Sequence, residues 1–257
     1  MATPTAAWPR ISFDYRGVQV LVTGGTSGIG AAVAAAYLHA GASVTITGTR
    51  ANARAYDEDL GAYRYLQLDV TDKAGIARVA AELPALDILV HSGGIALASI
   101  GIDESEPDHF ATAIEMHLTG IYRLSHACLP LLKASKLEGG ASVIGIASMS
   151  SYFGIEIVPG YGAAKAGLVQ LMKTFAVSWA RYGIRANAVA AGLVVSRQTG
   201  GLAGNPDTVA HLLQRVPLQR LGQPEDIAAG VLFLTSPASS WTTGQTLPIC
   251  GGFSIAG

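Results

Sequence analysis

Residues 18–23 are β-branched and apolar, and they run into Thr23-Gly24-Gly25-Thr26-Ser27-Gly28-Ile29-Gly30; an alanine-rich helical stretch follows to residue 40. A strand, a glycine-dense turn and a helix in so short a span fit few architectures. The turn must be sharp, and residues without Cβ let a ligand come close to the backbone. A helix opening at Gly28 aims its first N–H groups and its positive dipole end at the space above the turn, a setting that suits a phosphate. A purely structural turn can use the same glycines, so the rest of the chain has to decide.

The alternation continues. Residues 43–47, 63–68, 87–91, 141–147, 184–190 and 246–250 read as short strands, several of them continuously apolar. Residues 72–83, 106–135, 160–182 and 224–234 read as helices. Pro130 is expected to kink or end the second of these helical stretches. Thr71 or Asp72 is placed to cap the helix at 72, and Gly41 to end the first helix in a left-handed cap. Strand and helix in turn, with apolar strands, predict an α/β fold: a doubly wound parallel sheet of about seven strands with helices on both faces. Ligands in such sheets bind beyond the carboxyl ends of the strands, near the point where the winding reverses.

Half of the 257 residues are apolar and 14% are charged, against roughly 25% charged in an average soluble domain. Several helices must therefore bury more than one face. No linker or repeat divides the chain, so one domain over residues 1–257 is expected, with residues 1–15 as an N-terminal extension. No run of about 20 apolar residues is present, which argues against a membrane span. The first 15 residues lack a basic start and apolar core, so a cytoplasmic location is expected. A net charge of −1, no basic cluster and no finger-like Cys/His spacing argue against nucleic acid as a partner. The two cysteines, Cys128 and Cys250, are expected to be buried free thiols.

Tyr161 and Lys165 stand four apart in a helical segment and share one face. Ser148 stands thirteen residues before Tyr161, at the carboxyl end of the fifth strand. Three functional groups can thus converge where the sheet places a ligand. A free tyrosine has a pKa of about 10. A nearby ammonium favours the phenolate, and so would a cationic oxidised nicotinamide, moving the phenol toward useful acid–base chemistry. Ser148 can donate a hydrogen bond to a substrate oxygen.

The loop T-G-x-x-x-G-I-G together with Ser148, Tyr161 and Lys165 resembles the short-chain dehydrogenase/reductase family, of the classical kind, whose fold is Rossmann-type. The resemblance spans nearly the whole chain: Arg185-Ala186-Asn187-Ala188-Val189-Ala190-Ala191-Gly192, Thr243-Gly244-Gln245-Thr246 and Gly251-Gly252 match the family's later strand regions, and Leu68-Asp69-Val70 its adenine-side segment. It implies an NAD(P)-dependent oxidoreductase that interconverts a ketone and a secondary alcohol, with Ser148, Tyr161 and Lys165 catalytic. Lys165 and Tyr161 would also contact the nicotinamide ribose. The implied cofactor site comprises Gly24, Thr26, Ser27, Gly28, Ile29, Gly30, Thr49, Arg50, Asp69, Val70, Gly93, Gly192 and Val194. The family's turn after the fourth strand is here His91-Ser92-Gly93-Gly94. Aligning on Phe110, Leu118 and Gly120 puts His117 where the family has a catalytic asparagine; it could hold a relay water, titrate, or be an inert helical histidine. Ala191 and Cys250 replace a common proline and aspartate.

Gly48 occupies the position where NAD-preferring relatives carry an acid, and Thr49-Arg50 follows. No carboxylate there repels a 2′-phosphate and Arg50 can pair with one, so NADP(H) is the expected cofactor, with NAD(H) possible. The stretches 95–102, 149–158 and 193–216, with Tyr152 and Phe153, are expected to line a largely apolar substrate site. Only Arg197 and Arg215 in the last stretch would serve an anionic substrate. The helix at 160–182 is apolar nearly all round and is expected to meet a second subunit, giving a dimer or tetramer. Competing readings are a reductase of carrier-bound 3-oxoacyl groups, marked by a basic rim, and a non-catalytic dinucleotide-binding scaffold or sensor.

Overall fold

The computed structural model describes residues 12–196 and 206–256. Seven strands form a single sheet: β1 (Gln19–Thr23), β2 (Ser43–Gly48), β3 (Arg64–Gln67), β4 (Ile88–His91), β5 (Ala141–Ser148), β6 (Ile184–Ala191) and β7 (Thr246–Ile249). Their order is β3-β2-β1-β4-β5-β6-β7. Every neighbouring pair is parallel, with Thr23 beside His91, His91 beside Gly145 and Ser148 beside Ala191. The winding reverses between β1 and β4, so the ligand crevice of a doubly wound sheet opens above Thr23 and His91.

Successive residues of a strand face opposite sides of the sheet, and here both sides are core. Val20, Val22, Ile46, Val90, Ile144 and Val189 pack with Val33 and Tyr37 of α1 (Gly28–His39) and with Ile227 and Val231 of a late helix, Pro224–Thr235. Leu21, Leu89, Val143 and Ala188 face the other way, onto Leu124, Cys128, Leu168 and Met172. Each fully buried Leu or Ile contributes about 1.5–3 kcal/mol, which accounts for a chain so short of charge. Asp72 caps α2 (Lys73–Glu82) through the Ala74 N–H at 2.9 Å, and Gly41 has φ +89° at the end of α1.

The helix expected over 106–135 is broken, but not at Pro130. It comprises α3 (Pro107–Ile114), a π-helical segment (Glu115–Thr119) and α4 (Gly120–Ala134), and Pro130 lies inside α4. The π turn lets the segment bulge, and it carries His117 inward to a buried position. A Cβ on Gly120 would stand 2.2 Å from the Val70 carbonyl oxygen, so this junction rests directly on the loop after β3. The helix α5 spans Pro159–Trp179 and packs across α3.

The expected loop 193–216 contains a helix, α6 (Pro206–Leu213), and the helix at Pro224–Thr235 is α7. Residues 197–205 of that loop, Arg197 included, and residues 1–11 of the N-terminal stretch lie outside the described residues. Cys128 is a buried free thiol. Cys250 is only half-buried, because it sits at the open end of β7 beside Ser254, with Sγ 3.3 Å from that hydroxyl. Among the described residues no helix is long and apolar enough to cross a membrane.

Candidate active site

The turns after β1 and β4 are locked together. Thr23 Oγ1 accepts the N–H groups of Ser92 and Gly93, both at 3.1 Å. Gly24 has φ +65°, and a Cβ there would lie 2.6 Å from Gly93 Cα. A Cβ on Gly30 would lie 2.2 Å from the Gly24 carbonyl oxygen, so α1 rises directly off the turn. Ser27, the N-cap of α1, makes no side-chain cap bond to the helix. Among the described residues the first turn of α1 carries no acid, so its positive end suits the pyrophosphate of a dinucleotide.

The other predicted cofactor residues lie along the same carboxyl-end rim. Thr49 and Arg50 follow β2 and are exposed. The Arg50 guanidinium lies 4.8 Å above the Tyr56 ring and donates to the Ala55 carbonyl. The Arg50 N–H donates to the Tyr56 hydroxyl at 3.1 Å, and Tyr65 donates to the Arg50 carbonyl at 2.5 Å. A Cβ on Gly48 would stand 2.2 Å from that Tyr56 hydroxyl; any acid at this position would displace Tyr56. Asp69 accepts from the Thr71 N–H at 2.9 Å and its hydroxyl at 2.7 Å, shaping the turn into Val70. Gly192 donates to the Ile249 carbonyl at 2.9 Å, and Val194 is buried and bridged to Gly222.

Ser148 ends β5, and its Oγ accepts the Ser150 N–H at 3.2 Å. Tyr161 and Lys165 stand one turn apart on α5, and the Ser148 hydroxyl is near enough to the phenol to favour its ionised form. Lys165 is buried and donates to the Ile146 carbonyl of β5 at 2.7 Å; its Nζ lies 5.4 Å from the centre of the Tyr161 ring. Burial brings the Lys165 ammonium down to about 8. The phenol of Tyr161 does not follow the expected direction. Burial raises it above the usual tyrosine value, the Ser148 hydroxyl opposes this, and the charge of Glu104 adds to the rise. The ammonium of Lys165 is spent on Ile146 rather than on the phenol, so desolvation dominates and the phenol keeps its proton.

His117 closes the other side. Its ring meets the Tyr161 ring edge-on, with centroids 4.8 Å apart at 83°. Its Nε2 lies 3.0 Å from the Ile95 carbonyl oxygen, which can only accept, so Nε2 carries the hydrogen and Nδ1 offers a lone pair. Nδ1 is buried with no partner among the described residues. Burial first, then the charge of Lys165, holds the imidazole down at about 3, so it stays neutral. Gly94 makes room for this ring: its φ is +126°, and a Cβ would stand 2.4 Å from His117 Cε1. His91 is also buried and held at about 3 by burial, and its Nε2 pairs with Ser125 Oγ at 2.7 Å.

Two residues escaped the sequence reading. Tyr56 is a lone aromatic among polar neighbours in the sequence. Glu104 stands among Asp103, Glu106 and Asp108, yet it is wholly buried and accepts the Tyr161 N–H at 2.8 Å. Neither carries a spacing signal, because both reach the site through tertiary packing.

Comparison with known proteins identifies a family for the chain. A family profile described as enoyl-(acyl carrier protein) reductase matches residues 24–254. The chain is 34% identical to a cis-4-hydroxycyclohexanecarboxylate dehydrogenase of Sinomonas cyclohexanicum, over 91% of this chain and 95% of that one. It is 36% identical to a 3-oxoacyl-[acyl-carrier-protein] reductase of Vibrio harveyi, over 93% and 98%. Among solved structures, the Pseudomonas aeruginosa RhlG/NADP active-site complex superposes with a TM-score of 0.84 at 31% identity, covering 95% of this chain and 98% of that one. This chain belongs to the short-chain dehydrogenase/reductase family of oxidoreductases.

Proposed function

We propose that this protein reduces a ketone to a secondary alcohol, and catalyses the reverse, with a nicotinamide dinucleotide, NADP(H) in preference to NAD(H). The observation that carries the reading is the convergence of Ser148, Tyr161 and Lys165 at the carboxyl end of β5, on the same rim of the sheet as the glycine turn that opens α1. The dinucleotide, when bound, supplies or accepts the hydride. The chain's own residues do the rest. Gly24 to Gly30 hold the pyrophosphate on backbone N–H groups. Asp69, Val70 and Gly93 would hold the adenosine side, and Gly192 and Val194 would line the cofactor on the β6 side. Ser148 donates a hydrogen bond to the substrate carbonyl oxygen, and Tyr161 delivers its phenolic proton to that oxygen as the alcohol forms. Lys165, pinned to the Ile146 carbonyl, would hold the ribose side of the dinucleotide. His117 stays neutral and holds the loop at Ile95 against the Tyr161 ring.

The preference for NADP(H) rests on Arg50, which the Tyr56 ring and the Ala55 carbonyl hold at the end of β2 with no carboxylate at position 48. A mainly apolar substrate fits the composition of 95–102 and 149–158, with Tyr152 and Phe153 after β5. A second reading, reduction of a carrier-bound 3-oxoacyl group, is favoured by the Vibrio relative and by Arg215, an exposed cation lying over the rings of Phe153 and Phe253 at 5.9 and 4.5 Å. Exposed Val177 and Tyr122 on α5 and α4 fit assembly with a second copy.

Titrating the protein with NADPH and with NADH, followed by nicotinamide fluorescence, tests the reading without a substrate. Saturable binding of both, tighter for NADPH, is the expected result. Failure of both to bind would overturn it. Consumption of NADPH with 4-oxocyclohexanecarboxylate, ethyl acetoacetate or acetoacetyl-coenzyme A then separates the two substrate readings.

A further inference from the structure

Glu104 is a buried carboxylate with no ion pair. It has no exposed surface, and none of the ion pairs among the described residues includes it. Burying such a charge is costly unless hydrogen bonds replace its water. Two main-chain donors do so: Oε1 accepts the Leu97 N–H at 3.0 Å and Oε2 the Tyr161 N–H at 2.8 Å. Both bonds are charge-assisted and stronger than neutral ones.

The identity of the donors gives the carboxylate its meaning. Tyr161 is the third residue of α5, whose N-cap Val158 makes no side-chain cap bond. Its N–H is one of the donors a helix start leaves without an intrahelical partner, and a carboxylate there also meets the positive end of the helix dipole. Leu97 opens the 3-10 turn Leu97–Ile100 within the stretch after β4. One side chain therefore ties the first turn of α5, which carries the phenol, to the wall facing it. The same turn is crowded on its other side: a Cβ on Gly160 would stand 2.9 Å from the Ala113 Cβ of α3. Tyr161 has little freedom while Glu104 is in place.

We propose that Glu104 is a positioning residue for the proposed reaction: its carboxylate joins the main chain at Tyr161 and the 97–102 wall into one rigid unit that aims the phenol at the substrate oxygen. The inference rests on Tyr161 being the proton donor. The charge of Glu104 has a second consequence. The groups facing the phenol are Ser148 from β5, neutral His117 from the π segment, and Lys165 one turn along α5, whose ammonium is engaged by Ile146. Against these, Glu104 contributes a negative charge that disfavours the phenolate, so the proton donor stays loaded to higher pH.

The test is Glu104→Gln, assayed for ketone reduction with whichever of 4-oxocyclohexanecarboxylate, ethyl acetoacetate and acetoacetyl-coenzyme A the unmodified protein turns over. The amide keeps the shape but turns one acceptor into a donor that faces an N–H. We expect kcat to fall at least tenfold and the NADPH dissociation constant to stay within twofold. The loss of kcat/KM at high pH should begin at lower pH than in the unmodified protein. A kcat within twofold of the original, or a fall in kcat with an unmoved pH profile, overturns the proposal. Should that variant fail to fold, Glu104→Asp keeps the charge on an arm one carbon shorter. It is expected to lose kcat while its pH profile stays in place, and full activity would overturn the proposal. Tyr161→Phe serves as the control: if it remains active the assignment of Tyr161 fails, whereas an inactive Tyr161→Phe beside an unaltered Glu104→Gln refutes only the role of Glu104.

Discussion

Replacing Gly30 with alanine tests the phosphate turn by adding a single methyl group. Its Cβ would meet the Gly24 carbonyl oxygen at 2.2 Å and the carbonyl carbon at 2.8 Å. Both are main-chain atoms of the turn, so no flexible side chain can swing aside. Ordinary contact begins near 3.4 Å, so the start of α1 and the turn must part by about 1.2 Å. α1 cannot simply rise, because Val33, Ala34 and Tyr37 are fully buried beneath it. The strain therefore falls on the turn. Overpacking of this kind costs about 1–3 kcal/mol, and a displacement of about 1 Å at a site built on fixed geometry costs on the order of a hundredfold in function. NADPH titration by fluorescence should show affinity weakened at least tenfold, with Tm lowered by several degrees. The same substitution at Gly154, where nothing lies within 4 Å, should leave NADPH affinity unchanged. Undiminished NADPH affinity in the Gly30 variant would refute the claim that the helix start binds the pyrophosphate.

Arg50→Ala should weaken NADPH binding about tenfold or more and leave NADH binding within twofold, measured by the same titration; equal losses for both would contradict a 2′-phosphate contact. His117→Asn bears on acid stability. The imidazole sits at about 3 in the folded protein, below the usual 6.5, so below pH 6.5 the unfolded chain takes up a proton that the folded one refuses. That contribution to stability is complete above pH 6.5 and is lost as pH falls toward 3. Thermal melts from pH 7 down to pH 4 should therefore fall less steeply for His117→Asn than for the unmodified protein. Lys165→Met removes a buried ammonium that sits at about 8 instead of 10.5. It should raise Tm at pH 7, where the charge is present and desolvated, and abolish NADPH-dependent reduction; a lower Tm would show that the bond to Ile146 outweighs desolvation.

The parallel sheet and the proximity of Ser148, Tyr161 and Lys165 were readable because period and spacing encode them. Val20, Leu21 and Val22 alternate between two cores, and an apolar strand buried on both faces marks a parallel sheet. Tyr161 and Lys165 are one helical turn apart, so a helix alone brings them together. The break in the long helix was not readable: Pro130 is the obvious disruptor, yet α4 runs through it, and the π turn forms where Gly120 rests on the Val70 carbonyl. Nor was the direction of the Tyr161 shift. Four-residue spacing places an ammonium nearby, but whether it serves the phenol or the Ile146 carbonyl is decided by the approach of β5 to α5. Glu104 and Tyr56 were hidden for the same reason, since each acts across the fold from an unremarkable loop position.

The central claim is that Tyr161 transfers the proton while the glycine turn holds the dinucleotide. The most direct measurement is single-turnover oxidation of bound NADPH by a reducible ketone in Tyr161→Phe against the unmodified protein. The rate is expected to fall on the order of 10²–10⁴-fold, with NADPH affinity nearly unchanged, because the phenylalanine keeps the ring against His117 and only the hydroxyl's share of the ribose contact is lost. Comparable rates in the two proteins would contradict it.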